Sequence, residues 1–257
     1  MTGSETVVVA ADADDAARLA AERIVVSLAA AVQARGRADW ATTGGSAAPA
    51  IYRHLIEAPL RDAVDWAAVH VWWGDDRYVP RDHPLSNVGP LDAILLDSTH
   101  GVAIPVANLH PFRTGEGIGA DRGAAWTASA LADELATAGL PTRDGWPVLD
   151  LVLLGIGGDG HLLSVFPGSS AFDSTAWALA IPAPTHIEPY VERVTFNPAL
   201  IGAAREVLVV VPGAGKAEVL AELFGPVHDP RRWPGQLARR PGATWILDEA
   251  AAAGLRR

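Results

Sequence analysis

Residues 149–168 read LDLVLLGIGGDGHLLSVFPG, and this stretch decides the fold. Leu151 to Leu154 form an apolar run with the length and character of a strand buried on both faces. Gly155, Gly157 and Gly158 end it, where a side chain would obstruct a tight turn or the close approach of a ligand. Asp159, Gly160 and His161 follow, then a second apolar run over residues 162–166, stopped by Pro167 and Gly168. A strand that delivers a glycine turn bearing Asp and His places both at the carboxyl edge of a parallel sheet, where open α/β sheets bind ligands. The two-residue spacing allows both side chains to face one cavity and one to orient the other. The same triplet also serves as an ordinary glycine turn with a capping Asp and a solvated His.

Outward from this stretch, strands alternate with helices. Strands are expected at residues 6–10, 39–43, 69–73, 176–181, 191–196, 206–211 and 243–247. Alanine-rich helices are expected at 13–34 and 119–138, shorter ones at 47–56, 88–95 and 217–224, and a brief terminal one. Residues 98–119 and 226–241 read as irregular, with His100 and His110 as surface or core histidines. Trp126, Trp146, Trp177, Trp233 and Trp245 read as core or loop anchors. The alternation implies an α/β fold, a single doubly wound, mostly parallel sheet flanked by helices, with residues 1–257 as one domain.

The composition narrows the function classes. With 257 residues, 49% hydrophobic, the chain can bury a sizeable core. It has no cysteine, hence no disulfide, thiolate metal site or cysteine nucleophile. A formal net charge of −10 argues against nucleic-acid binding. An anionic substrate would need local cations to overcome that field. No apolar run approaches the roughly 18 residues of a membrane span, and the N-terminus lacks the features of a signal peptide. The expectation is a soluble cytoplasmic protein, without membrane partners, acting as monomer or homodimer.

Four further strand-associated segments, and the loop holding Ser86 and Asn87, carry polar groups. Thr42-Thr43-Gly44-Gly45-Ser46 precedes a helix, so its N–H groups can meet an anion, although it is not a Walker sequence. Asp75-Asp76-Arg77 closes the strand at 69–73; it is a salt-bridged turn, or Arg77 binds an anion while an Asp binds hydroxyls. Ser86, beside Asn87, reads as a helix cap. Arg193 and Thr195 share the polar side of their strand. Lys216 sits at a glycine turn before a helix. On one sheet edge these groups would make a cation-bearing site around the Asp/His pair.

Together the motifs TTGGS, GDDRYVP, SN, LGIGGDGHLLSVFPG, RVT and PGAGK resemble, in order and approximate spacing over nearly the whole chain, the 6-phosphogluconolactonase family of the pentose phosphate pathway. The resemblance implies the fold of the sugar-phosphate isomerases and deaminases. It also implies hydrolysis of 6-phospho-D-glucono-1,5-lactone to 6-phosphogluconate without metal or cofactor. It implies His161 as general base and Gly44, Gly45, Ser46, Arg77, Ser86, Asn87, Arg193 and Lys216 as holders of phosphate and hydroxyls; chemically Asp159 or Asp75 can orient the imidazole, and which of Asp75, Asp76 and Asp159 touches it is left open. The chain departs from the family's frequent GDGHTAS at Leu162 and Leu163, and from its Gly-Asp-Glu-Arg at Asp76. The similar glucosamine-6-phosphate deaminases carry Asn-Glu-Pro where this chain has Val165, Phe166 and Pro167, so their working carboxylate is missing here. A sugar-phosphate sensor of this fold would commonly add a DNA-binding segment and degrade the catalytic turn, whereas His161 is intact.

Overall fold

A computed structural model describes residues 5–255. Its strands are β1 (Thr6–Ala10), β2 (Ala38–Thr42), β3 (Val69–Trp73), β4 (Asp75–Arg77), β5 (Leu109–His110), β6 (Thr142–Arg143), β7 (Trp146–Pro147), β8 (Leu151–Leu154), β9 (Ala178–Ile181), β10 (Arg193–Phe196), β11 (Glu206–Val211) and β12 (Ala243–Asp248). Its helices are α1 (Ala13–Arg35), α2 (Ala48–Leu55), α3 (Thr114–Gly119), α4 (Gly123–Thr137), α5 (Ala199–Ala203), α6 (Ala217–Leu223) and α7 (Glu249–Ala252).

Seven strands form the main sheet in the order β1-β12-β11-β8-β2-β3-β5, and every neighbouring pair is parallel. From β2 the chain steps through β3 to β5, then returns to β8 on the other side of β2 and continues through β11 to β12. The winding reverses between β2 and β8, so the crevice outside their carboxyl ends is the switch point at which such sheets take ligands. All residues of β2 and β8 are buried. Helices cover both faces of such a sheet, which is why these strands lack a polar side.

Helix α1 shows how local chemistry sets an element. Asp12 caps it, accepting from Asp15 N–H, and Gly36 ends it at φ 72. Its buried face is mostly alanine, with Ile24, Val25 and Leu28, which lets the helix lie close on the sheet. Trp40, Trp72, Trp73 and Trp245 are fully buried; of these the sequence singles out only Trp245 as an anchor.

Beside the main sheet lies a three-stranded antiparallel one, β4-β10-β9. The expected strands at 176–181 and 191–196 belong here, shortened at their starts. No crossover helix separates them, and a short loop can only return the chain antiparallel. Three other segments differ from expectation. The irregular stretch 98–119 contributes β5 and α3, and His110 stacks on Trp72 at 3.9 Å between centroids. His110 also has partners, His70 at 2.9 Å and Glu134 at 2.6 Å. Helix α4 starts only at Gly123, whose φ of 78 breaks it from α3. The helix expected at 88–95 contracts to one wide turn, Leu91–Leu95, after Pro90.

Leu208 is fully buried in β11, at the middle of the main sheet. Leu208→Ala lowers unfolding stability by about 2–5 kcal/mol, read from urea denaturation. A loss under about 1 kcal/mol would place this strand outside the core.

Candidate active site

The turns after β2, β8 and β11 and the start of β4 enclose a cavity of about 260 Å³ at the carboxyl edge of the sheet. His161 lines it, and its Nδ1 lies 2.5 Å from Asp159 Oδ1, which also accepts from the His161 main-chain N–H at 3.2 Å. Glycine is required for this placement: a Cβ on Gly157 would lie 2.0 Å from His161 Nδ1. Gly160 takes φ 83, and a Cβ there would meet Trp233 at 2.8 Å. Nδ1 donating to Asp159 leaves Nε2 as the proton acceptor.

Burial works to raise the Asp159 carboxyl. The hydrogen bond and charge of His161, then the hydrogen bonds of His186 and of the main chain, outweigh it and hold Asp159 well below the usual carboxylate range. The aspartate on His161 is therefore Asp159, and Asp75 is not its partner. Asp75 lines the cavity, but its Oδ2 accepts from Ser164 Oγ at 2.6 Å and its Oδ1 from Asn87 Nδ2 at 3.3 Å.

Gly44, Gly45, Ser46, Arg77, Asn87 and Lys216 also line the cavity. Gly44 has no room for a side chain, since a Cβ would come within 1.9 Å of Asn87 Oδ1. Gly45, at φ 84, turns the chain toward α2. Arg77 donates to Leu85 O and Asn87 Oδ1, while its Nε is buried without a partner. Burial lowers the proton affinity of Lys216, and the charge of Asp159 partly offsets that.

Ser86 and Arg193 lie one layer behind these groups rather than on the cavity wall. Ser86 Oγ donates to Asp76 Oδ2 at 3.0 Å and accepts from Val88 N–H, so its local capping role persists while its proton goes to a buried carboxylate. Arg193 stands opposite Arg77 across the β4–β10 pair. Its Nη2 donates to Pro189 O, and its Nε is likewise unpartnered. Two adjacent guanidiniums with unused buried donors suit an anion.

Four contributors escaped the sequence reading. Ser164 holds Asp75. Leu163 lines the cavity with φ 53, a strained value for leucine, and fills the space that Gly74 leaves, where a Cβ would meet it at 2.6 Å. Ile187 lines the cavity from the loop between β9 and β10. His186, from the same loop, reaches Asp159. A histidine among prolines gives no local sign of such a contact.

Asp76 is fully buried, and burial is the main reason its carboxyl is pushed up to about 6, with the charge of Asp75 adding to it against hydrogen bonds from Asn87, Arg77 and Ser86. A carboxyl raised in the folded state favours folding while protonated, and that contribution disappears as pH rises through about 6. Asp76→Asn keeps an acceptor for both main-chain N–H groups and has no charge to bury. Relative to the variant, the wild type loses about 3 kcal/mol between about pH 4 and pH 7. Parallel pH profiles of urea-unfolding stability would contradict this burial.

A family described as glucosamine-6-phosphate isomerases/6-phosphogluconolactonase matches residues 11–246. A 6-phosphogluconolactonase of Synechocystis is 37% identical over 88% of both chains. One of Mycobacterium tuberculosis is 35% identical over 98% of this chain and 99% of its own. The solved structure of 6-phosphogluconolactonase from Trypanosoma cruzi superposes with a TM-score of 0.86 at 27% identity, covering 100% of this chain and 99% of that one.

Proposed function

The chain belongs to the family of glucosamine-6-phosphate isomerases and 6-phosphogluconolactonases, and we propose that within it His161 is the general base of a metal-free lactonase. The reaction is hydrolysis of 6-phospho-D-glucono-1,5-lactone to 6-phosphogluconate, in the oxidative pentose phosphate pathway. The observation that carries this reading is the Asp159–His161 pair at the wall of a cavity whose other polar groups include Arg77 and Lys216.

The chemistry follows from the arrangement. The lactone carbonyl is already electrophilic, so a base and hydrogen-bond donors are enough to hydrolyse it. Water attacks C1 while His161 Nε2 takes its proton, and Asp159 steadies the imidazolium through Nδ1. Hydrogen-bond donors on the cavity wall meet the oxygen of the tetrahedral intermediate, and the main-chain N–H groups of the turn 44–46 help hold the phosphate. As the C1–O5 bond breaks, the proton passes from His161 to the departing ring oxygen, giving a hydroxyl at C5 and a carboxylic acid at C1 that releases its remaining proton to solvent as the carboxylate. Arg77 and Lys216, with Asn87, hold the phosphate and hydroxyls, and Arg193 adds positive potential from behind Arg77. Ser86 acts at one remove, by fixing Asp76.

The deaminase alternative lacks its acid. Val165 and Phe166 are buried apolar groups, and the Phe166 ring packs on His161 with centroids 4.8 Å apart. The lactone is a small anionic substrate, and the described residues contain no helix long and apolar enough to cross a membrane; a cytoplasmic location fits both.

His161→Ala lowers kcat for the lactone by about 10²–10⁴-fold, with binding of 6-phosphogluconate within about twofold. Lys216→Ala instead raises KM about tenfold with a smaller change in kcat. Steady-state hydrolysis with the spontaneous rate subtracted checks both. Near-normal turnover in His161→Ala would remove the base assignment.

A further inference from the structure

Asp159 serves a second imidazole. His186 Nε2 stands 2.8 Å from Asp159 Oδ2, while Oδ1 of the same carboxylate serves His161. The His186 ring stands edge-on to Phe166, with centroids 5.7 Å apart and planes at 87°. Phe166 in turn tilts against His161 at 4.8 Å. A polar route and an aromatic route thus both join His186 to His161. The next residue, Ile187, lines the cavity. The far end of the same loop is fastened separately, by Arg193 Nη2 donating to Pro189 O at 2.9 Å and Tyr78 N–H donating to Glu192 O at 2.8 Å.

The geometry points to His186 as a positioning residue for lactone hydrolysis: by donating to Oδ2 it keeps Oδ1 of Asp159 aimed at His161 and seats Ile187 against the cavity. This rests on His161 being the base. The torsion that turns a carboxylate is broad and roughly two-fold, and Asp159 lies between Gly158 and Gly160, which restrain it little. A carboxylate held by one oxygen alone would swing, and the imidazole would swing with it. A donor on the second oxygen removes that freedom.

The same hydrogen bond draws charge away from Asp159. The charged and titratable groups acting on this carboxylate are His161, His186 and the Lys216 ammonium. With His186 removed, Asp159 holds a proton on His161 more firmly. Because the base must be unprotonated, activity then starts to fall at a higher pH on the acid side. His186 is half exposed, so its replacement leaves the core intact.

The test compares wild type, His161→Ala, His186→Ala and His186→Gln by steady-state lactone hydrolysis from about pH 5 to pH 8. His186→Ala loses about 3- to 10-fold in kcat, a fraction of what the base itself supplies, with KM within about twofold. Its acid limb of kcat/KM moves to higher pH. His186→Gln keeps an N–H donor for Oδ2 and recovers most of both. Wild-type kcat and acid limb in His186→Ala would overturn the inference. So would equal losses in the Ala and Gln variants with the limb unmoved, since the side chain would then only fill space. Near-normal turnover in His161→Ala is a separate result, and it sinks the base reading itself.

Discussion

The hydrogen bond from His161 to Asp159 is the contact on which the site depends, and it exists only because Gly157 has no side chain. The imidazole occupies the volume where a Cβ at that position would sit. Strand β8 brings the turn to the reversal point of the sheet, so an otherwise featureless apolar run becomes the support of the Asp159–His161 pair. The carboxylate accepts on both oxygens, from His161 on one and His186 on the other. Burial alone would have favoured its neutral form, and these partners keep it charged. A charged Asp159 fixes the imidazole tautomer, and in the proposed mechanism it would also stabilise the proton taken up by the imidazole.

A second constraint is electrostatic. The chain is acidic overall, with a formal net charge of −10, yet its cavity is walled by Arg77 and Lys216, with Arg193 behind. Burial and the neighbouring Arg77 lower the proton affinity of Arg193, while Asp75 and Asp76 partly restore it. These two carboxylates therefore favour the charged form of Arg193. Ser86, Asn87 and Ser164 in turn hold the carboxylates in place. The result is a layered arrangement: Arg77, Lys216, Asp75 and Asn87 on the wall, with Arg193, Asp76, Ser86 and Ser164 behind them. Local field, not net charge, decides what an acidic protein can bind.

Much of this was legible in the sequence, for identifiable reasons. The strands at 69–73, 151–154 and 206–211 have the bounds expected of them, because a parallel strand buried on both faces is a nearly continuous apolar run, interrupted here only by His70 and by Glu206 at a strand end. The glycine turns around them were visible as well, since glycine marks backbone that a side chain would obstruct. The separate sheet β4-β10-β9 was not, because pairing direction depends on what connects two strands rather than on their own pattern. The layering of the site was equally hidden: Ser86 and Arg193 look like wall residues in a motif, and only packing moves them one layer back. His186 lies 27 residues from Asp159 with no periodicity to link them.

The central claim, that Asp159 and not Asp75 makes His161 a base, is tested most directly by comparing Asp159→Asn with Asp75→Asn. Asparagine has nearly the shape of aspartate but lacks its charge, and at position 159 it can present the wrong hydrogen-bonding group to Nδ1. Asp159→Asn is expected to lower kcat for lactone hydrolysis by about 10²-fold or more, with KM and unfolding stability little changed, and Asp75→Asn to cost less in kcat. Turnover near wild type in Asp159→Asn, with the large loss in Asp75→Asn, would contradict it.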